Sequence, residues 1–320
     1  MQTKTLVTRW LPNEVIEKLQ TVSRVTMWPE VDQPISREFL LREIEDADAV
    51  LSMLTDQIDT ICMENAKKLR IIANMAVGYD NIDVREARAR GIHISITPDI
   101  LNETTADLAF GLLLSVARRI PESSVFLRQG KWHSWSPFLL AGQDVFGATL
   151  GIVGMGRIGE GVARRARGFA MRILYHNRTR REDVEERLGV SYQTFDELFR
   201  LSDFLVVLTP LTSQTHHLIG ERELNLMKPT ASIINVSRGS VVDEQALYTA
   251  LFQKKIYGAG LDVFEQEPIA KNHPLLGLDN VVALPHIGSA SIATRTRMAM
   301  LAAENICAVL TDRNPITPIV

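Results

Sequence analysis

The sequence predicts an α/β protein of two doubly wound parallel-sheet domains, the second inserted into the first. Three observations carry this reading. Short β-rich runs alternate with helical patterns from residue 4 to 96, a second alternation begins at Thr149 and continues to residue 284, and beyond Ser289 comes a helix that no further strand follows. Such a helix could cross back to the first domain. The expected boundaries are therefore residues 1–100 with 289–320 for one domain and 101–288 for the other.

In the first domain the strands are expected at 5–8, 49–53 and 70–73, each followed by a helical pattern, at 14–20, 58–68 and 84–90, and Pro98 closes the series. Residues 103–119 carry few helix breakers and read as one helix, and a tract rich in Trp, Ser and Pro at 131–137 reads as a loop. In the second domain, strands are expected from Thr149 and at 172–175, 204–208, 232–236, 258–262 and 281–284.

Composition narrows the function. A chain of 320 residues with 46% hydrophobic content can bury two cores. The net charge of −3 comes without a long basic run, which disfavours nucleic acid and anionic lipid as partners and favours a small molecule. Cys62 and Cys307 stand far apart, so neither a disulfide framework nor a metal site is expected. The start reads as a short strand without the apolar core of a signal peptide, and the apolar stretch at 108–114 meets Arg118 and Arg119 before the roughly 20 residues a membrane span needs. A cytoplasmic protein is the expectation.

The mid-chain turn Gly154-Met155-Gly156-Arg157-Ile158-Gly159 follows the apolar run Leu150-Gly151-Ile152-Val153 and opens a helical stretch expected over 158–170. This is the arrangement of a dinucleotide-binding βαβ unit, in which glycines make the tight turn, admit the pyrophosphate to the backbone and let helix pack on strand. The second strand of such a unit ends in Asp or Glu when the adenosine 2′-hydroxyl is to be bound. Here it runs into Tyr175-His176-Asn177-Arg178-Thr179-Arg180-Arg181. Guanidinium groups at that place suit a 2′-phosphate, so NADPH is expected over NADH, with Asn177, Arg178 and Thr179 as contacts. The alternative is that the arginines pair with Glu182, Glu185 and Glu186 on a solvated surface.

Three later segments each follow an expected strand: Asn235-Val236-Ser237-Arg238-Gly239, Asp262-Val263-Phe264-Glu265-Gln266-Glu267-Pro268 and Pro285-His286-Ile287-Gly288. Ligands of open parallel sheets bind outside the carboxyl ends of strands, so these residues should gather there. Arg238 offers a planar fork for the oxygens of a 2-keto acid, and His286 is a suitable proton donor near neutral pH. A carboxylate beside the imidazole would favour its charged form; Glu267 is the candidate and Glu265 the competitor.

Together these motifs resemble the D-isomer-specific 2-hydroxyacid dehydrogenase family over nearly the whole chain. The resemblance implies a Rossmann-type coenzyme domain inserted into a flavodoxin-like substrate domain. It makes Arg238 the substrate-binding arginine, Glu267 the acid that tunes the histidine and His286 the acid/base, the motif placing its acid directly before Pro268. It also brings Asp262 to the nicotinamide carboxamide, Pro210 to the adenine pocket, Thr105 and Ser237 to the cofactor, and the Val77 and Gly78 backbone to the substrate carboxylate.

The tract around Trp132 and Trp135 is similar to the glyoxylate/hydroxypyruvate reductase branch, which implies a homodimer with Trp135 shaping a neighbour's substrate pocket. The alternative is that both tryptophans pin a surface loop. The expected activity is NADPH-preferring reduction of glyoxylate to glycolate and hydroxypyruvate to D-glycerate. Its rivals are another 2-keto acid, such as 2-ketogluconate or phenylpyruvate, and a dinucleotide-sensing corepressor on the same fold. Phosphohydroxypyruvate is disfavoured because no room follows for a regulatory domain, and formate because the formate enzymes pair the histidine with Gln.

Overall fold

The computed structural model describes residues 2–319. They form two compact units, one comprising the chain up to Leu101 and from Ala290 onward, the other Asn102–Ser289.

In the first unit β1 (Lys4–Val7), β2 (Arg24–Met27), β3 (Ala49–Ser52), β4 (Ile71–Asn74) and β5 (His93–Ser95) pair in parallel in the order β2-β1-β3-β4-β5. That is the flavodoxin-like order. Side chains alternate across the strands. Leu6, Val50 and Ile72 enter one core with Leu40, Ile44 and Met63, while Val7, Leu51 and Ile71 enter another with Val15, Leu19 and Ile306. Covered on both faces, β3 and β4 carry apolar runs, Ala49-Val50-Leu51 and Ile71-Ile72-Ala73, while β1 opens with Lys4 and Thr5 before Leu6 and Val7. The last helix, Ile292–Leu310, packs on the second face beside Asn13–Gln20, burying Ala299, Ala302 and Ile306.

The second unit holds β6 (Thr149–Val153), β7 (Arg172–His176), β8 (Ser191–Tyr192), β9 (Phe204–Val207), β10 (Ser232–Asn235), β11 (Gly258–Leu261) and β12 (Val281–Ala283). All neighbours are parallel, in the order β12-β11-β10-β9-β6-β7-β8. Counted from β6 this is 3-2-1-4-5-6 with one strand added, the Rossmann order. The strand order reverses at β6 and β9, so ligands are expected beyond their carboxyl ends.

Where the structure departs from the expected elements, local chemistry explains it. The helix expected at 58–68 is only Thr60–Asn65, because Asp59 accepts the Cys62 N–H as an N-cap and Ala66 leaves helical geometry with ψ 81°. The helix expected at 103–119 is Asn102–Ala117; Arg119 at φ 51° separates it from a further helix, Ile120–Arg128. The helix expected at 158–170 spans Arg157–Arg167, and Ala170 takes φ 51°. Among the described residues no helix is long and apolar enough to cross a membrane, and no His, Cys, Asp and Glu group could hold a metal ion.

Candidate active site

At the carboxyl end of β6 the chain turns through Gly154 at φ 101°, where an added Cβ would lie 2.9 Å from the Leu208 carbonyl carbon. At Gly156 an added Cβ would meet nothing within 4 Å. Protein packing does not explain that glycine, and its open backbone leaves room for an anion to approach. Gly156 also caps the helix Arg157–Arg167 without a side-chain hydrogen bond, the arrangement of an anion-binding N-terminus. Gly159 brings this helix against the turn, since a Cβ there would lie 2.7 Å from Gly154 O. Ile158 is half-buried and Arg157 exposed beside it.

The segment after β7 is shaped by contacts of its own. Asn177 grips Met155 from both sides, its Oδ1 accepting the Met155 N–H at 2.6 Å and its Nδ2 donating to Met155 O at 3.3 Å. Arg180 is paired with Glu185 through two contacts of 2.8 Å, and Arg181 with Asp183 at 2.8 Å and Glu160 at 3.3 Å. Two of the three arginines thus meet carboxylates. Arg178 instead reaches the Gln214 amide oxygen at 3.4 Å, and Thr179 beside it is exposed. Pro210 is exposed in the loop after β9.

A second group gathers beyond β10, β11 and β12. The Asn235 carboxamide, at the end of β10, accepts from Ser237 N–H and Oγ at 3.1 and 2.8 Å and donates to Arg238 O at 2.9 Å, fixing the turn that carries Arg238. Asp262, 1% exposed, accepts the Ile287 N–H at 2.8 Å through its side chain and the His286 N–H at 2.9 Å through its carbonyl. Burial pushes its carboxyl above the ordinary value against that hydrogen bond and the nearby His286. Gly288 sits beside Asp262 and the buried Thr105.

His286 is held at φ 52°, a left-handed backbone uncommon for a residue with a side chain. Its Nδ1 lies 2.7 Å from Glu267 Oε2, with both side chains about three-quarters buried, at 25% and 27% exposure. Glu267 Oε1 accepts the Phe264 N–H at 2.9 Å. Burial raises the carboxyl pKa of Glu267, but the His286 hydrogen bond and charge, the Phe264 N–H and the Arg238 charge outweigh it and hold the group below its ordinary value. Glu265, the competing acid, turns to His217 instead, with Oε1 2.8 Å from Nε2.

In the first unit the loop after β4 carries Val77 and Gly78. Among the described residues neither N–H makes a backbone hydrogen bond. Asn74 Nδ2 donates to Gly78 O at 3.0 Å and to Asn81 Oδ1 at 3.2 Å, tying this loop to the strand end.

Residues 110–288 match the model of the D-isomer specific 2-hydroxyacid dehydrogenase NAD-binding domain. The chain belongs to the D-isomer-specific 2-hydroxyacid dehydrogenase family. It is 52% identical over 309 residues to the glyoxylate reductase of Korarchaeum cryptofilum, covering 96% of this chain and 93% of that one. A Thermus thermophilus structure superimposes with TM-score 0.93 at 43% identity, covering 99% of this chain and all of that one. The NADPH-dependent glyoxylate/hydroxypyruvate reductase of Sinorhizobium meliloti, solved in complex with NADP and malonate, superimposes with TM-score 0.87 at 36% identity, covering all of this chain and 97% of that one.

In this NAD(P)-dependent D-2-hydroxyacid dehydrogenase one residue whose role the sequence did not indicate supports the segment after β7. Tyr175, buried in β7, accepts the Arg181 N–H and donates to Glu185, both at 2.8 Å, and so anchors the segment that contains Arg178. Desolvation pushes its hydroxyl pKa up to about 12, so it stays a donor across the neutral range. A tyrosine in a strand reads as core, and only its partners in the fold reveal the second duty.

Proposed function

We propose that this dehydrogenase reduces small 2-keto acids, with glyoxylate and hydroxypyruvate as substrates and NADPH as the preferred cofactor, giving glycolate and D-glycerate. The observation that carries the proposal is the 2.7 Å contact of His286 Nδ1 with a Glu267 whose carboxyl also feels Arg238. Glyoxylate reductases about half identical over almost the full chain support the choice of substrate.

When bound, a reduced nicotinamide supplies the hydride. The turn from Gly154 to Gly159 would hold the pyrophosphate, Thr105, Ser237 and Asp262 would support the nicotinamide end, and Pro210 would line the adenine pocket. Arg238 would bind the oxygens of the keto acid and orient its carbonyl. With Nδ1 engaged by Glu267, His286 presents Nε2 and gives its proton to the oxygen on which negative charge builds. Glu267 offsets the positive ring. A panel of glyoxylate, hydroxypyruvate, phenylpyruvate and 2-ketogluconate with either cofactor tests the proposal. The two smallest acids with NADPH should give the highest kcat/KM, and preference for phenylpyruvate or for NADH would contradict it.

Arg178 carries the cofactor preference, because Arg180 and Arg181 already hold carboxylates. Arg178→Ala should weaken NADPH binding by about 1.5 to 3 kcal/mol, the range of a charge-assisted hydrogen bond, and leave NADH binding almost unchanged. Fluorescence titration with both cofactors measures this, and equal weakening would assign the 2′-phosphate elsewhere.

We propose further that the enzyme works in the cytoplasm as a homodimer. Its two thiols are buried and unpaired, as suits a reducing compartment. Trp135 is 77% and Phe138 86% exposed, and the preceding helix Ile120–Arg128 buries none of its residues. Apolar surface of this kind marks an interface, with Trp135 as an anchor near a substrate pocket. Light scattering should give twice the chain mass for the wild type and a lower average mass for Trp135→Ala; a wild-type monomer would refute the assignment.

A further inference from the structure

The peptide between Phe264 and Glu265 is gripped from two sides, and neither grip belongs to the groups that would touch substrate or cofactor. On one side lies Gly239, directly after Arg238; a Cβ there would fall 1.8 Å from the Phe264 carbonyl carbon, so the Arg238 turn rests on this peptide. On the other side Glu244 Oε1 accepts the Glu265 N–H at 2.8 Å, and Glu265 Oε1 in return accepts the Glu244 N–H at 3.2 Å. The pair is reciprocal. It closes two backbone donors with two side chains, one at the start of the helix Glu244–Phe252 and one on the loop that carries Glu267.

Both carboxylates have a further partner. Glu265 Oε1 is 2.8 Å from His217 Nε2, and Glu244 Oε2 is 3.4 Å from His273 Nε2. His217 is itself fixed, its N–H donating to Ser240 O at 2.7 Å and its ring stacked on His216 at 4.1 Å. Asp243 Oδ2 lies 3.8 Å from His217 Nδ1, and Asp243 Oδ1 caps the helix by accepting the Ala246 N–H at 2.9 Å. The Glu244 side chain is only 15% exposed. Burial raises its carboxyl pKa, with the Glu265 N–H opposing. A carboxylate taken out of water without an arginine or lysine partner costs stability, and a simple surface turn would not require it.

We infer that Glu244 is a positioning residue for the acid–base pair: by holding the Phe264–Glu265 peptide it sets the place at which Glu267 meets His286. Glu265 and His217 complete the clamp from outside. Within three residues the same loop presents the Phe264 N–H to Glu267 Oε1, so a shift of the clamped peptide moves the donor that orients the Glu267 carboxylate. The Arg238 turn, packed on that peptide through Gly239, would move with it. The inference rests on the reading of His286 and Glu267 as the catalytic pair.

Glu244→Ala removes the acceptor, whereas Glu244→Gln keeps an oxygen that can take the Glu265 N–H. Misplacement of a catalytic group by about an ångström can cost on the order of 10²-fold, so kcat for glyoxylate should fall roughly 10- to 100-fold in Glu244→Ala, with the KM for NADPH unchanged and kcat largely restored in Glu244→Gln. A second readout needs no turnover. Carbon-13 NMR of the glutamate carboxyls, with the Glu267 signal assigned by its loss in Glu267→Gln, should show Glu267 titrating nearer the ordinary carboxylate value in Glu244→Ala and as in the wild type in Glu244→Gln. An unmoved Glu267 titration in Glu244→Ala overturns the inference, as does a parallel loss of kcat and NADPH affinity that Glu244→Gln fails to restore. Should Glu244→Ala not fold, His217→Ala, which removes only the outer contact, is read by the same titration. A wild-type chain without turnover would remove the catalytic reading, while the Glu267 titration would still decide the clamp.

Discussion

His286→Asn is expected to lower kcat for keto-acid reduction by roughly 10²- to 10⁴-fold, the usual share of a positioned general acid, with NADPH affinity held at the wild-type level. Asparagine is the informative replacement. His286 sits at φ 52°, and Asn is one of the few residues that adopt this region readily, so the turn and its Asp262 contacts should persist. The variant loses the proton donor and the partner that lowers the Glu267 pKa, but no residue of the glycine turn. Steady-state rates with a parallel fluorescence titration of NADPH separate the two effects. Wild-type turnover would reject His286 as the acid, and a matching loss of NADPH affinity would make its role structural.

The second large effect is expected at Arg238. Arg238→Gln should reduce kcat/KM for glyoxylate by about 10²- to 10³-fold, comparable to loss of a preorganised donor at a developing oxyanion. Lysine should rescue little, because a point charge cannot reproduce the planar fork. Two structural contacts of this residue involve its backbone: Asn235 Nδ2 donates to its carbonyl at 2.9 Å, and Gly239 follows it against Phe264. The side chain itself donates to Ser237 O at 2.9 Å, so Arg238→Gln loses that bond while the two backbone contacts should keep the turn in place. Thermal denaturation should be near wild type while kcat/KM collapses; a variant that loses both together would locate the effect in folding.

The legible parts of this molecule are those in which one residue type does one job in one place. Strands such as β3, β4 and β9 are buried on both faces, so they carry apolar runs, Ala49-Val50-Leu51, Ile71-Ile72-Ala73 and Phe204-Leu205-Val206-Val207. The edge strand β2 has no fully buried residue and carries no such signal. The break at Arg119 was equally hidden, since a left-handed arginine is imposed by the fold and not announced by composition.

At the candidate site, Arg238, Glu267 and His286 stand out as candidates because each is a chemically distinctive residue in a segment that follows a strand. Their supports do not. Glu244 reaches Glu265 across 21 positions and Tyr175 reaches the Arg181 amide across six, and in sequence both are an ordinary helix-start acid and an ordinary strand aromatic. The arginine tract shows the opposite case. Charge alone offers three guanidinium groups for a phosphate; Arg178 is the one expected from the sequence, and the fold adds that Arg180 and Arg181 are paired with carboxylates.

The central claim, that this cluster protonates a small keto acid as hydride arrives, is tested most directly by adding glyoxylate to the purified protein with NADPH and following loss of the reduced-nicotinamide absorbance. Steady turnover that forms glycolate in equal amount is expected, falling roughly 10²- to 10⁴-fold in His286→Asn. A protein that binds NADPH yet consumes none with glyoxylate or hydroxypyruvate would contradict it.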